Sequence, residues 1–322
     1  MTDAVLQLVR DRKRQGSTPG QRADDARLVL VIEGGSSRGA YSSGMTVAIE
    51  ELGLLPLFDA VYGSSMGALN GAWLLCGRAG STVHAWWDPI VMRGAIDPRR
   101  MLRGRPAVDT RFLVHTVYTE IFPMGFQEIL DSPVEFHPMA TDALTGESTD
   151  LRNLVRDQAS LQAALRASTA MPLLAGAPVE IGGRRFVDAG VSESVPARTA
   201  LAQGATHLVV LRTKRADETV FPPTRGERLV MSRWFARRAP GALEPWLNRQ
   251  QIRGAEEELL AAHPGILQIR PPLGSAHIGR SERGAVVLKA AVGIGRQAAL
   301  GALADDATET AGDASGDASV PG

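Results

Sequence analysis

Residues 28–39 read LVLVIEGGSSRG, an apolar strand that runs without a break into a glycine-rich turn. Beyond it, Met45, Ala48, Ile49 and Leu52 recur at helical spacing, and Gly53 supplies a stop signal. The turn from Gly34 to Gly39 therefore sits at a helix N-terminus, where unpaired backbone N–H groups point outward and favour negative charge. About two dozen residues on, a second apolar run, Phe58 to Tyr62, ends in Gly63-Ser64-Ser65-Met66-Gly67 and continues into the helix-forming ALNGAWLL. This G-x-S-x-G between strand and helix is the pattern of a nucleophile elbow. The turn is so tight that only glycine fits two residues either side of Ser65, whose Oγ stands above the sheet at the positive end of a helix.

Downstream segments keep alternating. VEFHPMA (134–140) reads as a strand that flows into the turn of TDALTGE. Two short amphipathic helices follow, around Leu151 to Val155 and Leu161 to Leu165, the second stopped by Met171-Pro172. PVEI and RRFV (178–187) form a hairpin about Gly182-Gly183, a two-residue turn of the type that needs positive φ. Asp188-Ala189-Gly190 follows directly, so a carboxylate is rigidly held at a strand end. Residues 196–203 are helical, THLVVLR (206–212) is a buried strand, residues 265–270 are another, and 281–303 form a long helix interrupted by Gly293 and Gly295. Helical periodicity also marks 84–87 and 111–121; the adjacent Trp86 and Trp87 are read as packing residues rather than as an acyl pocket. Strands alternating with helices imply an α/β fold of three layers, α/β/α, with a mostly parallel central sheet and ligands at the carboxyl ends of its strands. One catalytic domain, 27–303, is expected between a frayed N-terminal tail (1–26) and a disordered acidic tail (304–322).

Lys+Arg and Asp+Glu balance at 35 each in 322 residues, which gives no reason to expect a nucleic-acid partner. The single cysteine, Cys76, excludes an intramolecular disulfide and reads as a small core residue. The N-terminus lacks the apolar stretch of a signal peptide, and no run reaches the roughly 18 apolar residues of a membrane span, so a cytoplasmic protein is expected. The first glycine turn lacks the Gly-Lys-Ser/Thr ending of a phosphate loop and the third glycine of a dinucleotide fingerprint. The remaining reading is an oxyanion hole, with the N–H groups of Gly34, Gly35 and Ser36 opposite a tetrahedral intermediate. No cofactor and no metal are expected.

Ser65 needs a base. Of six histidines, His84 and His115 fall on helices and His137 and His207 within strand-like runs. Only His263 and His277 occupy the late loop positions of a Ser-Asp-His order. Asp188 is the other option, with an Asx turn capping the hairpin as its structural alternative.

These residues resemble the patatin-like phospholipases, whose signatures come in this order: a G-G-G-x-R/K-G oxyanion loop, a G-x-S-x-G elbow and D-G/A-G. Here they correspond to Gly34–Gly39, Gly63–Gly67 and Asp188–Gly190, with Arg38, Gly39, Gly63, Gly67, Ala189 and Gly190 as motif support. RASTAMPLLAGAPVEIGGRRFVDAG and FHPMATDALTGE resemble the same family, and the likeness covers about residues 28–212. Ser36 departs from it, standing where the family usually has its third glycine. The resemblance implies a Ser-Asp dyad without histidine, in which Ser65 is the nucleophile and Asp188 the base, hydrolysing lipid or lysolipid carboxylic esters through an acyl-enzyme. Acyl transfer on the same site and a non-catalytic lipid-binding protein are the alternatives. Arg38 is expected to hold the loop through carbonyl contacts, in preference to meeting a phosphate head group.

Between Arg212 and Arg253 lie ten Lys/Arg against four Asp/Glu, interleaved with Phe221, Trp234, Phe235 and Trp246. This stretch, 213–253, reads as a cover segment, and MSRWFARR within 225–250 has the composition of a basic interfacial helix able to touch anionic membranes.

Overall fold

The computed structural model describes residues 3–218 and 222–304. The opening stretch forms β1 (Leu28–Ile32) and the run before the elbow forms β2 (Ala60–Ser64), which pair in parallel. β3 (Glu135–Asp142) continues the parallel set beyond β2. β4 (Ser148–Asp150) lies antiparallel against β3, and the hairpin of β5 (Val179–Ile181) and β6 (Arg184–Val187) closes that edge. On the other side of β1 run β7 (His207–Leu211) and β8 (Ile266–Ile269), both parallel. The resulting order is β5-β6-β3-β2-β1-β7-β8. The chain steps outward from β1 in one direction and later returns to its other side, so β1 borders a topological switch point with its crevice at the carboxyl ends.

Every residue of β1 is buried because both faces are covered. Leu28, Leu30 and Ile32 face a layer that includes α1 (Asp3–Arg14), α2 (Gly39–Glu51) and α3 (Met66–Leu75), whereas Val29 and Val31 face residues 195–205 and Leu260. The three-layer α/β/α arrangement with a mostly parallel sheet is thus the one observed. The hairpin turn takes the expected form, with φ of 57° at Gly182 and 75° at Gly183.

Three expectations need correction. Residues 3–26 are not a frayed tail: α1 buries Val5 and Val9, and Arg12 is wholly buried. Its Nη1 donates to the Leu57 carbonyl at 2.7 Å and Asp59 Oδ2 at 2.8 Å, and its Nη2 to Asp24 Oδ1 at 2.7 Å. Asp59 in turn accepts the Leu28 N–H at 2.8 Å, so this cluster clamps the N-terminal segment onto the start of β1. A run of charged residues reads as solvated chain when some of its partners, here Leu57 and Asp59, lie more than forty positions away in sequence. Second, the helix Ala285–Leu303 is long and apolar enough to cross a membrane, with a mean hydropathy of 1.4 over its most apolar window. It packs on α2 so closely that a Cβ at Gly295 would stand 1.9 Å from the Tyr41 carbonyl oxygen. Third, the aromatics of 225–250 do not face outward. In the helix Arg225–Arg238, Met231 and Phe235 are buried, and they pack with Trp246 over Val187 and Val191. Arg225, Arg228, Arg233, Arg237 and Arg238, with Leu229 and Val230, form its exposed side. The expected disorder of the acidic tail concerns residues 305–322, outside the described ones.

Candidate active site

The elbow forms because β2 ends against α3 with no room for side chains on either flank. A Cβ at Gly63 would stand 2.5 Å from Ala68 Cα, and one at Gly67 would stand 2.3 Å from the Ile32 carbonyl oxygen. Ser65 itself is held at φ 52°, ψ −123°, a conformation costly for a residue with a Cβ. Its N–H donates to Ser168 Oγ at 2.9 Å, which leaves its side chain at the crevice.

Asp188 meets it there. β6 ends at Val187, and Asp188 caps the turn that follows: its Oδ1 accepts the Gly190 N–H at 2.8 Å, and its Oδ2 accepts from Ser65 Oγ at 2.7 Å. The Asx cap and the serine contact are therefore made by different oxygens of one carboxylate. Thr141 Oγ donates to the Asp188 carbonyl at 2.9 Å and fixes the backbone from β3. Burial pushes the Asp188 carboxyl up to about 6, against the opposing pull of the Ser65 and Gly190 hydrogen bonds and of Arg280 and Arg253. Such a carboxylate accepts a proton far more readily than an exposed aspartate, and Ser65 is its neighbour.

The glycine turn approaches Ser65 from β1: a Cβ on Gly34 would stand 3.1 Å from that of Ser65. The Gly34 N–H donates to the Ser194 carbonyl at 3.0 Å, which removes Gly34 from the expected set of oxyanion donors. The N–H groups of Gly35 and Ser36 have no acceptor among the described residues. Ser36 sits at φ 52°, the left-handed region that glycine adopts freely. Its hydroxyl donates to the Arg280 carbonyl at 2.6 Å, and Ser37 reaches the Arg280 and Glu282 carbonyls at 3.0 Å each. A serine at this position thus ties the turn to the loop before the C-terminal helix. Behind the turn, Glu33 accepts from the Thr213 N–H at 2.7 Å and pairs with Arg212 at 3.0 Å and Lys214 at 3.3 Å. Burial favours the neutral acid, but Arg212 and Lys214 hold Glu33 well below the usual carboxylate range.

Two cavities meet at Ser65 and Ser36. The first, about 100 Å³, is apolar and runs between α2, α3 and residues 79–118, walled by Met66, Leu69, Trp73, Val83, Trp86 and Leu113. Trp86 lines it, whereas Trp87 turns aside under Lys289. The second, about 250 Å³, opens on the Asp188 side and carries charged walls. Arg38 faces it and makes none of the expected carbonyl contacts; its Nε is buried without a partner. Neither cavity is lined by a histidine. His263 precedes β8 and so lies at the amino ends of the parallel strands, where its Nδ1 accepts the Gly265 N–H; His277 is exposed, 3.7 Å from Glu218. Among the described residues no group of three His, Cys, Asp or Glu side chains is arranged to hold a metal.

Sequence reasoning missed Ser168, Thr141 and Ser194, which orient Ser65, Asp188 and Gly34. Ser168 lies inside the family-like run 166–190, but nothing in its local pattern distinguishes it from a surface serine.

Fold and site together define an α/β protein of the nucleophile-elbow type, its serine facing a buried aspartate. A family model described as Patatin-like phospholipase matches residues 30–201, more than half of the chain, and the chain belongs to that family. It is 27% identical over 256 residues to the uncharacterized protein YjjU of Escherichia coli (strain K12), covering 76% of this chain and 69% of that one. It is 23% identical over 269 residues to Lysophospholipase NTE1 of Debaryomyces hansenii, but spans only 16% of that protein's length. A search of solved structures finds VipD from Legionella pneumophila at a TM-score of 0.43 and 13% identity, covering 89% of this chain and 69% of that one.

Proposed function

We propose that this chain is a serine hydrolase of lipid carboxylic esters, acting through a Ser65–Asp188 dyad and an acyl-enzyme. The observation that carries the reading is the 2.7 Å hydrogen bond from Ser65 Oγ to a buried, ionisable carboxylate at the junction of an apolar and a charged cavity. The yeast relatives named lysophospholipases support the same substrate class.

An acyl chain enters the apolar cavity and leaves its ester carbonyl at Ser65. Asp188 Oδ2 takes the hydroxyl proton as Oγ attacks, and the N–H groups of Gly35 and Ser36 receive the negative charge that develops on the carbonyl oxygen. Asp188 then returns the proton to the departing alcohol, leaving the acyl group on Oγ. Water attacks this ester, Asp188 takes its proton, and Ser65 leaves as the alcohol. The raised affinity of Asp188 for a proton suits it to both halves of the cycle, since it remains ionised at pH 7 yet accepts a proton transiently.

The test is fluorophosphonate labelling beside hydrolysis of p-nitrophenyl esters by wild type, Ser65→Ala and Asp188→Asn. Wild type should label and turn over, Ser65→Ala should do neither, and Asp188→Asn should lose at least about a hundredfold in kcat, as expected when a general base is removed. A wild type that labels at another residue, or an Asp188→Asn variant that keeps its rate, would sink the dyad.

A further inference from the structure

The charged cavity contains more positive charge than the hydrolytic chemistry above uses. Arg38, Lys214, Arg249, Arg253 and Arg280 line it, against the carboxylates of Glu33, Glu227 and Asp188. Glu33 is already occupied by Arg212, Lys214 and the Thr213 N–H, and Glu227 lies 3.3 Å from Arg249. Asp188 faces Ser65. Arg38, Arg253 and Arg280 are left with no salt bridge among the described residues. Glu256, the acid beside Arg253, is tied to Ser194 through its N–H at 2.7 Å and its hydroxyl at 2.8 Å. Burial lowers the proton affinity of Arg253, and Arg280 lowers it further, against the pull of Glu256, Glu33 and Asp188; at Arg38 burial again dominates, and Glu33 opposes the repulsion from Arg280 and Arg253 without reversing the shift. Like charges gathered in a half-enclosed space, with the nearby carboxylates engaged by other donors, cost free energy that a bound anion offsets. Two donors there also lack acceptors: Arg38 Nε and Arg249 Nη1 are buried and unpartnered.

We propose that this cavity is a phosphate-binding subsite, formed by Arg38, Arg253 and Arg280 with Arg249 at its wall, which selects lipid esters carrying an anionic phosphate head over zwitterionic ones. The inference rests on the lipid-ester reading of Ser65 and specifies its head group. The acyl chain lies in the narrow apolar cavity, the scissile carbonyl lies at Ser65, and the phosphate beyond the glycerol enters the wider cationic one. Guanidinium groups match phosphate oxygens with paired N–H donors. Nothing comparable awaits a quaternary ammonium. The one tryptophan lining this cavity, Trp246, has its ring covered by the Arg249 guanidinium at 4.5 Å, and Glu227 is engaged by the same arginine. A choline head would therefore bring a cation against cations. Three of the arginines, 249, 253 and 280, lie outside the family-matched residues 30–201, so this selectivity belongs to the C-terminal part of the chain. The Arg280 carbonyl, which accepts from Ser36 and Ser37, fixes the base of one phosphate ligand to the oxyanion turn itself.

Binding and turnover are tested separately. Ser65→Ala protein, which cannot turn over, is titrated calorimetrically with glycerol 3-phosphate, glycerophosphocholine and inorganic phosphate, alone and combined with Arg253→Gln or Arg280→Gln. Wild type and the two arginine variants are then compared on lysophosphatidate and lysophosphatidylcholine. Glycerol 3-phosphate should bind about tenfold or more tightly than glycerophosphocholine, and each arginine variant should lose about tenfold of that affinity, the scale of a charge-assisted hydrogen bond. In turnover, the kcat/KM ratio of lysophosphatidate to lysophosphatidylcholine should fall through KM in both variants. Equal affinity for the two glycerol esters overturns the proposal, even if Ser65-dependent hydrolysis is robust. Inorganic phosphate binding as tightly as glycerol 3-phosphate, with no preference between the lysolipids, makes this a site for free phosphate and overturns the head-group assignment. Selective, arginine-dependent binding of glycerol 3-phosphate without hydrolysis of any ester would uphold the subsite while sinking the hydrolase. Arg280 is exposed, so its variant should fold; an Arg253→Gln protein that melts early is replaced by Arg253→Lys, which should retain part of the affinity.

Discussion

Replacing Asp188 by asparagine should make the protein more stable while abolishing its proposed chemistry. Burial raises the Asp188 carboxyl from 3.8 to about 6. The folded protein therefore holds this proton more tightly than the unfolded chain does. Above pH 6 the group is ionised in both states and the folded state alone bears the cost of a buried charge. Below about 3.8 the group is neutral in both and the cost vanishes. The stability contributed by this site is thus fully present below 3.8 and is lost as pH rises through 6. The difference between 3.8 and 6 corresponds to about 3 kcal/mol at pH 8 and to about half of that at pH 5. Asparagine never ionises, and its amide can still serve both neighbours: Oδ1 accepts the Gly190 N–H while Nδ2 donates to Ser65 Oγ. The attraction of Arg253 and Arg280 for the carboxylate is lost in the variant, but that attraction already acts on the raised value. Urea unfolding of wild type and Asp188→Asn at pH 8 and pH 5 gives the two differences directly. The variant should gain up to about 3 kcal/mol at pH 8 and about half that at pH 5. A variant no more stable than wild type at pH 8 would refute the reasoning, as would a gain independent of pH.

The same protonation sets the acid limb of catalysis: kcat/KM for an uncharged p-nitrophenyl ester should fall tenfold per pH unit below an apparent pKa near 6, and a profile flat down to pH 4 would remove Asp188 as the base. At Ser36, alanine keeps the left-handed backbone and loses the Arg280 hydrogen bond, whereas glycine loses the bond and relieves the backbone. Urea midpoints should accordingly show Ser36→Ala destabilised by about 1 kcal/mol and Ser36→Gly within roughly 0.5 kcal/mol of wild type. In the C-terminal helix the two glycines should respond oppositely. Gly295→Ala drives a methyl into the Tyr41 carbonyl and should cost about 3 kcal/mol or more, whereas Gly293→Ala, with nothing within 4 Å, should add roughly 0.5 to 1 kcal/mol by helix propensity, both read by thermal melts.

What could be read in advance divides along the length scale of the forces involved. The strand before the glycine turn, the elbow and the hairpin ending at Asp188 were legible because each is fixed within about ten residues: apolar runs, glycines at set offsets, a two-residue turn. The pairing of Ser65 with Asp188 spans 123 positions, and β6, which delivers Asp188, runs antiparallel to β3, so no strand-end rule brings the two together; it was expected only from the resemblance of the three motifs to the patatin-like phospholipases. The failures all involve partners that no local pattern names. Gly34 counted as a donor until Ser194, 160 positions away, took its N–H. Arg12 looked like part of a solvated tail because Asp24 and Asp59 could not be seen as its partners. The basic segment 213–253 was read by composition, which records how many arginines and aromatics there are but not which way they face. Trp234, Phe235 and Trp246 turn inward to close the crevice, Phe221 lying outside the described residues, while Arg249 and Arg253 line the charged cavity and the loop carrying Arg280 joins them from beyond β8. The same crevice that brings these distant side chains together also buries and raises the Asp188 carboxyl and leaves Arg38, Arg253 and Arg280 with no salt bridge among the described residues. The catalytic base and the head-group subsite are therefore coupled: an anion bound beside Arg253 and Arg280 offsets their pull on Asp188 and moves its pKa further up. The acid limb of turnover should accordingly lie at higher pH for lysophosphatidate than for an uncharged ester of the same acyl chain, and identical limbs would mean that the phosphate never reaches those arginines.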